Sequence, residues 1–334
     1  MTKPKLLILD DYEGALAAAP ALSKLRDLAD VTIMNQPIDV NGDVDLAQYQ
    51  VMFALRERTE IDAALLAHFP KLELILQSGG HAYHLERTAA SAKGIVVALG
   101  RGAQNPKVVM PELTWALILG LNRQLYLIHQ QMVAGMWPEI IGISLHGKTL
   151  GILGYGRHGQ AVANIAKTFG MRVIAWDRGK PYPAGEDVFR VPLEKLMATA
   201  DVVTIHLKLS DESTGLVSRE LLTSMKPTAL LINTSRGAIV DENALIEVLS
   251  AGKIAGAGLD VFATEPLAAD SPLRSLSNVI LTPHIGWKVD TVLHEWMAIA
   301  ADQLEAWLNH QLDAKWVMNP EAMDVQRDRI GSLH

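Results

Sequence analysis

The stretch from Thr149 to Asp177 constrains the fold of this 334-residue chain more than any other. An apolar run, Thr149-Leu150-Gly151-Ile152-Leu153, leads into Gly154-Tyr155-Gly156-Arg157-His158-Gly159, and Gln160 to Phe169 continue in a helical pattern. A second apolar run, Met171 to Trp176, ends on Asp177, 18 residues past Gly159. Strand, glycine turn, helix and strand ending on an acid make the βαβ unit that receives dinucleotides. Gly154 permits the tight turn, Gly156 lets the backbone approach a pyrophosphate, and Gly159 lets helix and strand pack closely. The amides of Arg157 and His158 would point from the positive helix end at the phosphates. Asp177 would accept the ribose hydroxyls and repel a 2′-phosphate, so NAD is expected over NADP, with Arg178 beside it favouring the phosphate.

The remaining pattern repeats the alternation of short apolar runs and helical segments. In the first hundred residues the runs are Leu6–Leu9, Val31–Met34, Val51–Leu55, Leu72–Leu76 and Ile95–Ala98. An Ala/Leu-rich helix is predicted to reach Leu28, with further helices near Ile61–Phe69 and Leu85–Ala92. Short strands apolar on both faces with intervening helices predict a parallel sheet covered on both sides, here of flavodoxin-like form. Pro111–Leu127 is the longest apolar helical run; Glu112, Asn122 and Arg123 interrupt it, so it suits a core or subunit-interface helix and not a membrane span. From Lys148 the alternation begins again through Val202–Leu207, Ala229–Thr234, Ile254–Val261 and Val279–Thr282, and a helix is predicted from about Val289 to Asn309. The expected fold class is α/β with two doubly wound parallel-sheet domains. The flavodoxin-like one spans 1–103 plus 289–334, and the Rossmann dinucleotide-binding one spans 104–288.

Composition narrows the chemistry. Apolar residues make up 49 %, enough for two buried cores, and 30 Lys and Arg stand against 37 Asp and Glu. The net charge of −7 argues against a general nucleic-acid or anionic-membrane surface. With no cysteine there are no disulfides, thiol nucleophiles or cysteine-ligated metals. The four-residue apolar run near the N-terminus is too short for a signal-peptide core, and a cytoplasmic location is expected.

Three polar motifs end later apolar runs: Asn233-Thr234-Ser235-Arg236-Gly237, Gly258-Leu259-Asp260-Val261-Phe262-x-x-Glu265-Pro266, and Leu281-Thr282-Pro283-His284-Ile285-Gly286. Ligands of open α/β sheets bind at the carboxyl ends of strands, so these residues should meet. With the glycine loop, they resemble the D-isomer-specific 2-hydroxyacid dehydrogenases. The likeness covers nearly the whole chain and is strongest from Gly147 to Gly286. It implies hydride transfer between NAD and C2 of a small 2-hydroxy or 2-keto acid, with Arg236, Glu265 and His284 as the catalytic three. The chemistry agrees. Histidine, with an unperturbed pKa of about 6.5, suits a reversible proton donor and acceptor. A carboxylate orients the imidazole, and the planar fork of arginine can hold a carboxylate and polarise a carbonyl.

The resemblance further implies that His206, Leu207, Thr234 and Ser235 line the cofactor and that Asp260 binds the nicotinamide carboxamide. It implies that Arg56, Gly79, Gly80 and His81, within Leu55-Arg56-Glu57-Arg58-Thr59 and Gln77-Ser78-Gly79-Gly80-His81, contact the substrate. Asn105 and Glu112 fall on its linker helix with structural roles. His81, His158, Lys208 and Trp287 stand where the family commonly has glycine, isoleucine, proline and a small residue, so no particular substrate carries over. His81-x-x-His84 lacks an acid cluster apart from Glu86, and no metal is expected. A homodimer is expected, as is closure of a cleft between the domains with hinges near 102–105 and 286–290. The alternative is an NAD-responsive corepressor-like binding protein on the same fold; formate or phosphite oxidation on a related scaffold is a second enzymatic alternative.

Overall fold

The computed structural model describes residues 3–177 and 188–325, and within it the chain divides into two units, Met1–Asn105 with Lys288–His334 and Pro106–Trp287. Arg178, next to Asp177 in the chain, lies outside the described residues. The first unit runs β1 (Lys5–Ile8), α1 (Leu22–Leu28), β2 (Asp30–Ile33), β3 (Val51–Ala54), α2 (Ala63–Ala67), β4 (Leu74–Gln77), α3 (Arg87–Ala92) and β5 (Val96–Leu99). Every pairing is parallel and the order is β2-β1-β3-β4-β5, the flavodoxin-like arrangement with its switch point between β1 and β3. Strand alternation sends Leu7, Met52, Ile75 and Val97 into one buried cluster, and their neighbours Leu6, Val51, Leu74 and Val96 are buried on the opposite face.

The second unit runs α4 (Pro106–Asn122), α5 (Leu125–Val133), β6 (Thr149–Leu153), α6 (Arg157–Thr168), β7 (Arg172–Trp176), β8 (Phe189–Arg190) and α7 (Leu193–Thr199). It continues through β9 (Val202–Ile205), α8 (Arg219–Ser224), β10 (Leu230–Asn233), α9 (Glu242–Ser250), β11 (Gly256–Leu259) and β12 (Val279–Leu281). Its seven parallel strands lie in the order β12-β11-β10-β9-β6-β7-β8, a Rossmann sheet whose switch point falls between β6 and β9. Here too the alternation divides the core. Leu150, Ile152, Leu230 and Ile232 face Trp115 and Ile118 of α4 and Val162 of α6, and Leu153, Val203, Leu231 and Leu259 face Leu196 of α7 and Leu245 of α9.

A final long helix, α10 (Asp290–Leu308), returns to the first unit and packs on α1 and β4. The segment after it closes the outer edge of the five-stranded sheet. Met318 N donates to the Val97 carbonyl, and the Asn319 side chain accepts from Val97 N at 2.9 Å and donates to the Ile95 carbonyl at 2.8 Å. An edge strand with its polar groups so covered is no longer a template for another chain.

Helix extents depart from the sequence pattern in two places. The Ala/Leu-rich run before Leu28 is helical only from Leu22, because the buried Asp11 carboxylate accepts from the amides of Leu16 and Ala17 at 3.0 and 2.9 Å and holds this segment in turns. The helix expected from Pro111 to Leu127 begins at Pro106, carries Pro111 inside it, and stops at Asn122; Gln124, at φ +48°, starts a second helix. α4 packs on its own unit, with Trp115, Leu117, Ile118 and Leu121 buried against β10, β11 and α6.

Gly151 at the centre of β6 shows how tightly this sheet is packed. A Cβ there would stand 2.6 Å from Leu196 Cδ2 and 2.8 Å from Ala200 Cβ. Gly151→Val should therefore lower the unfolding free energy by about 1–3 kcal/mol, the usual cost of overpacking, read as an earlier transition in urea.

Candidate active site

The glycine loop forms at the switch point. Gly154 adopts φ +95°, and any side chain on it would meet the carbonyl group of His206, at the end of the neighbouring β9. A Cβ on Gly159 would collide with the Gly154 carbonyl oxygen, so α6 can sit this close to the turn only with glycine there. Gly156 is different: a Cβ there would meet nothing within 4 Å, so packing does not demand the glycine. It is also the N-cap of α6 and gives no side-chain bond to the first-turn amides. A loop that must let a phosphate approach its backbone accounts for both observations, and the residues present fit a bound dinucleotide.

Around the loop, His206 N donates to the Leu153 carbonyl at 2.7 Å and its Nε2 lies 2.9 Å from Thr204 Oγ1. Burial, then the charge of His158, pushes the His206 imidazole down to about 3, and burial likewise lowers His158, beside Arg157. Leu207 packs partly buried against the core. Ser235 Oγ donates to the Ile205 carbonyl at 2.8 Å, and Thr234 Oγ1 pairs with Thr114 Oγ1 at 3.1 Å, fixing the end of β10 to β9 and to α4. Asp177 follows β7 directly, with Arg190 of β8 bonded to it.

Asp260 follows β11 and is fully buried. Its Oδ1 accepts from Thr282 Oγ1 at 2.6 Å and Ile285 N at 2.8 Å, its Oδ2 accepts from Gly286 N at 2.9 Å, and its carbonyl accepts from His284 N at 2.9 Å. Burial raises its pKa, and these three side-chain bonds oppose the shift without cancelling it. They hold the turn that places His284 at φ +52°. There the imidazole Nδ1 lies 2.7 Å from Glu265 Oε2, while Glu265 Oε1 accepts from Phe262 N at 3.0 Å. Burial pushes the Glu265 carboxyl up, but the His284 bond and charge, the Phe262 amide and the Arg236 guanidinium together hold it below the usual carboxylate value.

The sequence-expected trio therefore converges: His284 on Glu265 by contact, Arg236 by its charge on the same carboxylate. Gly237 explains how. A Cβ on it would run into the backbone of Phe262 and Ala263, so the turn carrying Arg236 can lie against the loop carrying Glu265. Arg236 itself donates from Nη1 to the Ser235 carbonyl at 2.6 Å.

The first unit gathers its own set. Arg56 is buried at φ +56°; its amide donates to Ser78 Oγ at 2.7 Å, and its guanidinium bonds Glu57 at 3.1 Å and lies 5.5 Å over the Trp296 ring. Gly79, at φ +85°, is where it is because a side chain would run into Arg56 Nη1; Gly80 follows it. His81 Nδ1 lies 3.1 Å from the same Glu57 oxygen, and burial pushes the nearby His84 imidazole down to about 4. Sequence reasoning missed Glu57 and Trp296 here, and Arg190 beside Asp177 in the second unit. Trp296 sits at a core position of α10, and only folding brings Arg190 beside β7. Asn105 donates to the Glu295 carboxylate at the start of α10, a structural contact. Among the described residues no group of three or more His, Cys, Asp or Glu could hold a metal, and no helix is long and apolar enough to cross a membrane.

A Rossmann sheet with this loop at its switch point defines a dinucleotide-binding domain, and comparison with known proteins gives the family. Residues 115–286 match the NAD-binding domain of the D-isomer specific 2-hydroxyacid dehydrogenases. A glyoxylate reductase of Korarchaeum cryptofilum is 38 % identical over 67 % of this chain and 69 % of its own. A D-3-phosphoglycerate dehydrogenase of Mycobacterium leprae is 37 % identical over 86 % of this chain but only 53 % of its own, longer, sequence. The crystal structure of a phosphoglycerate oxidoreductase from Vibrio cholerae O395 superposes with a TM-score of 0.82 at 32 % identity, covering 92 % of this chain and 99 % of the other. The chain belongs to the D-isomer specific 2-hydroxyacid dehydrogenase family and is an oxidoreductase.

The depressed Glu265 carboxyl binds fewer protons in the native than in the unfolded chain. It therefore adds stability above its unfolded pKa, and that increment is lost as pH falls through its lower folded pKa. Unfolding of Glu265→Gln should show a shallower loss of stability than the wild type between neutral pH and about pH 3, below the ordinary carboxylate range. Parallel urea titrations across that interval check it.

Proposed function

We propose that this protein interconverts a small D-2-hydroxy acid and its 2-keto acid, with NAD as the preferred nicotinamide cofactor and His284 as the proton donor and acceptor. The observation that carries the reading is the 2.7 Å contact between His284 Nδ1 and a Glu265 carboxylate that also lies within the field of Arg236. When bound, the cofactor supplies hydride to C2 of the keto acid or accepts it from the hydroxy acid. Glu265 accepts a hydrogen bond from the Nδ1–H of His284 and so fixes the tautomer whose Nε2 exchanges a proton with the C2 oxygen. Arg236 holds the acid group and polarises the carbonyl through its planar donors.

On this reading Gly154, Gly156, Arg157, His158 and Gly159 take the pyrophosphate, and Asp177 takes the ribose hydroxyls. His206, Leu207, Thr234, Ser235 and Asp260 line the rest of the dinucleotide, with residues 104–288 as its domain. A neutral His206 suits a site that receives its phosphates through backbone amides. Arg56, Gly79, Gly80 and His81, in the domain formed by 1–103 and 289–334, are assigned to the substrate. The pairing of Glu57 with both Arg56 and His81 puts a carboxylate inside that set, which favours a compact monocarboxylic acid over one carrying a second anion.

His284→Ala should lower kcat about 100-fold or more, the range of general acid–base catalysis, while NADH still binds. Arg236→Lys should fail to restore turnover, because lysine lacks the planar fork. A panel of 2-keto acids, followed by loss of NADH absorbance, checks both; a His284→Ala enzyme with near-normal turnover would remove the assignment.

We further propose a homodimer. Val133, the last residue of α5, and Met136, Trp137 and Ile141 just after it are 74, 53, 83 and 90 % exposed, an apolar density that a lone chain rarely leaves to water. Sedimentation should give a dimer, and Trp137→Glu with Ile141→Asp should shift it toward monomer.

A further inference from the structure

One buried cation of the first unit has an aromatic partner from a distant part of the chain. The Arg56 side chain is 9 % exposed, and its guanidinium carbon lies over the Trp296 ring, 5.5 Å from the centroid. Trp296 belongs to the buried stripe of α10, with Val292, Leu293, Met297 and Ala300. Gly79, just after β4, borders both groups: a side chain on it would run into Arg56 Nη1 and stand 3.7 Å from Trp296 Cζ2. The rest of Arg56 is held as well. Its amide donates to Ser78 Oγ at 2.7 Å, its carbonyl accepts from Gln77 Nε2 at 3.3 Å, and its Nη2 donates to Glu57 Oε1 at 3.1 Å.

We propose that Trp296 is a positioning residue for the reaction: its indole holds the Arg56 guanidinium where it meets the acid group of the substrate. The inference rests on the reading of Arg56 as a substrate contact. A second carboxylate in this place would neutralise the guanidinium and occupy its donors. An indole face does neither, because it attracts the cation through the ring quadrupole and leaves the in-plane N–H groups to other acceptors. Glu57 secures one nitrogen of the fork, and the indole secures the cation as a whole without cancelling its charge. A long side chain ordinarily loses rotamer freedom when it binds an anion, and an orientation already fixed by packing removes that loss. A smaller apolar residue would fill the same stripe of α10 but offer the guanidinium no such face.

The test is steady-state reduction of glyoxylate, the smallest 2-keto acid, and of the best larger acid of the panel, with saturating NADH. It compares the wild type, Trp296→Met, Trp296→Phe, Arg56→Gln and the two double variants. Trp296→Met, apolar and adaptable but without a ring, should raise KM for the keto acid about tenfold and keep kcat within about threefold. Trp296→Phe keeps a ring face and should stay within about threefold of the wild type in KM. In the Arg56→Gln background neither change at 296 should raise KM further, because the residue acts through the guanidinium. KM for NADH should not move in any variant, which separates positioning from a general loss of structure. If Trp296→Met does not fold, the same cycle is read from Trp296→Phe, whose rise in KM, however small, must vanish with Arg56→Gln. A rise that is equal in the Arg56→Gln background would overturn the proposal, as would a loss of kcat with KM unchanged or a methionine variant as good as the phenylalanine one. Arg56→Gln with an unchanged keto-acid KM would overturn the reading of Arg56 itself, and this inference with it. A wild type that reduces no 2-keto acid would remove the function proposed above and everything that rests on it.

Discussion

Asp260 joins the ends of two strands. Its backbone carbonyl and both carboxylate oxygens are directed at one segment, residues 282–286, and each accepts from it. Burying a carboxylate is costly, and the raised pKa of Asp260 is a sign of that cost. The bonds it receives are charge-assisted, which makes them the stronger kind. They hold His284 in a left-handed conformation that a non-glycine residue adopts at a cost on the order of 1–3 kcal/mol. Without Asp260 the loop after β12 would have no reason to keep that conformation, and the imidazole would lose its bearing on Glu265.

The consequence is a histidine whose geometry is set from two sides. Its backbone is fixed by Asp260 and its ring by Glu265, which is in turn tied through its other oxygen to the Phe262 amide. Three strand ends contribute to this. β10 supplies Arg236, β11 supplies Asp260 and Glu265, and β12 supplies His284, and the sheet order makes these three strands consecutive neighbours. Gly237 matters for the same reason, since only a residue without a Cβ lets the β10 loop press on the β11 loop.

Much of this was legible in the sequence, for identifiable reasons. Strands such as Leu230–Asn233 and Val202–Ile205 are short apolar runs buried on both faces, so local composition marks them directly. The glycine loop was legible because Gly154 and Gly159 each answer a separate steric demand of the turn and Gly156 stands between them at the spacing of a phosphate-binding backbone. Helix limits were less so: Asp11 bonding to Leu16 and Ala17 defeats an Ala/Leu-rich helical pattern, and the αL residue Gln124 divides what reads as one apolar helix. Partners brought together by register were not legible at all. Nothing near Arg190 in the sequence points to Asp177, and nothing near Trp296 points to Arg56, because each pair forms only when a sheet or helix is assembled.

Backbone strain draws the two units into one pattern. Among the described residues, non-glycine residues with left-handed φ are Asp10, Arg56, Gln124, His284 and His310, and three of these five follow a strand within three residues. Asp10 follows β1 and accepts from Tyr12 and Thr59; Arg56 follows β3; His284 follows β12. A parallel strand leaves the sheet pointing away from its own helix, and a sharp left-handed turn is one way to hold a polar side chain over the strand end before the chain departs. Asp10 and Arg56 do this at the first unit's switch point, between β1 and β3. Strain of this kind persists only where neighbours over-determine it, as Ser78 does for Arg56 and Asp260 for His284. In both units the chain thus spends conformational energy at the carboxyl ends of parallel strands, where open α/β sheets present their ligands.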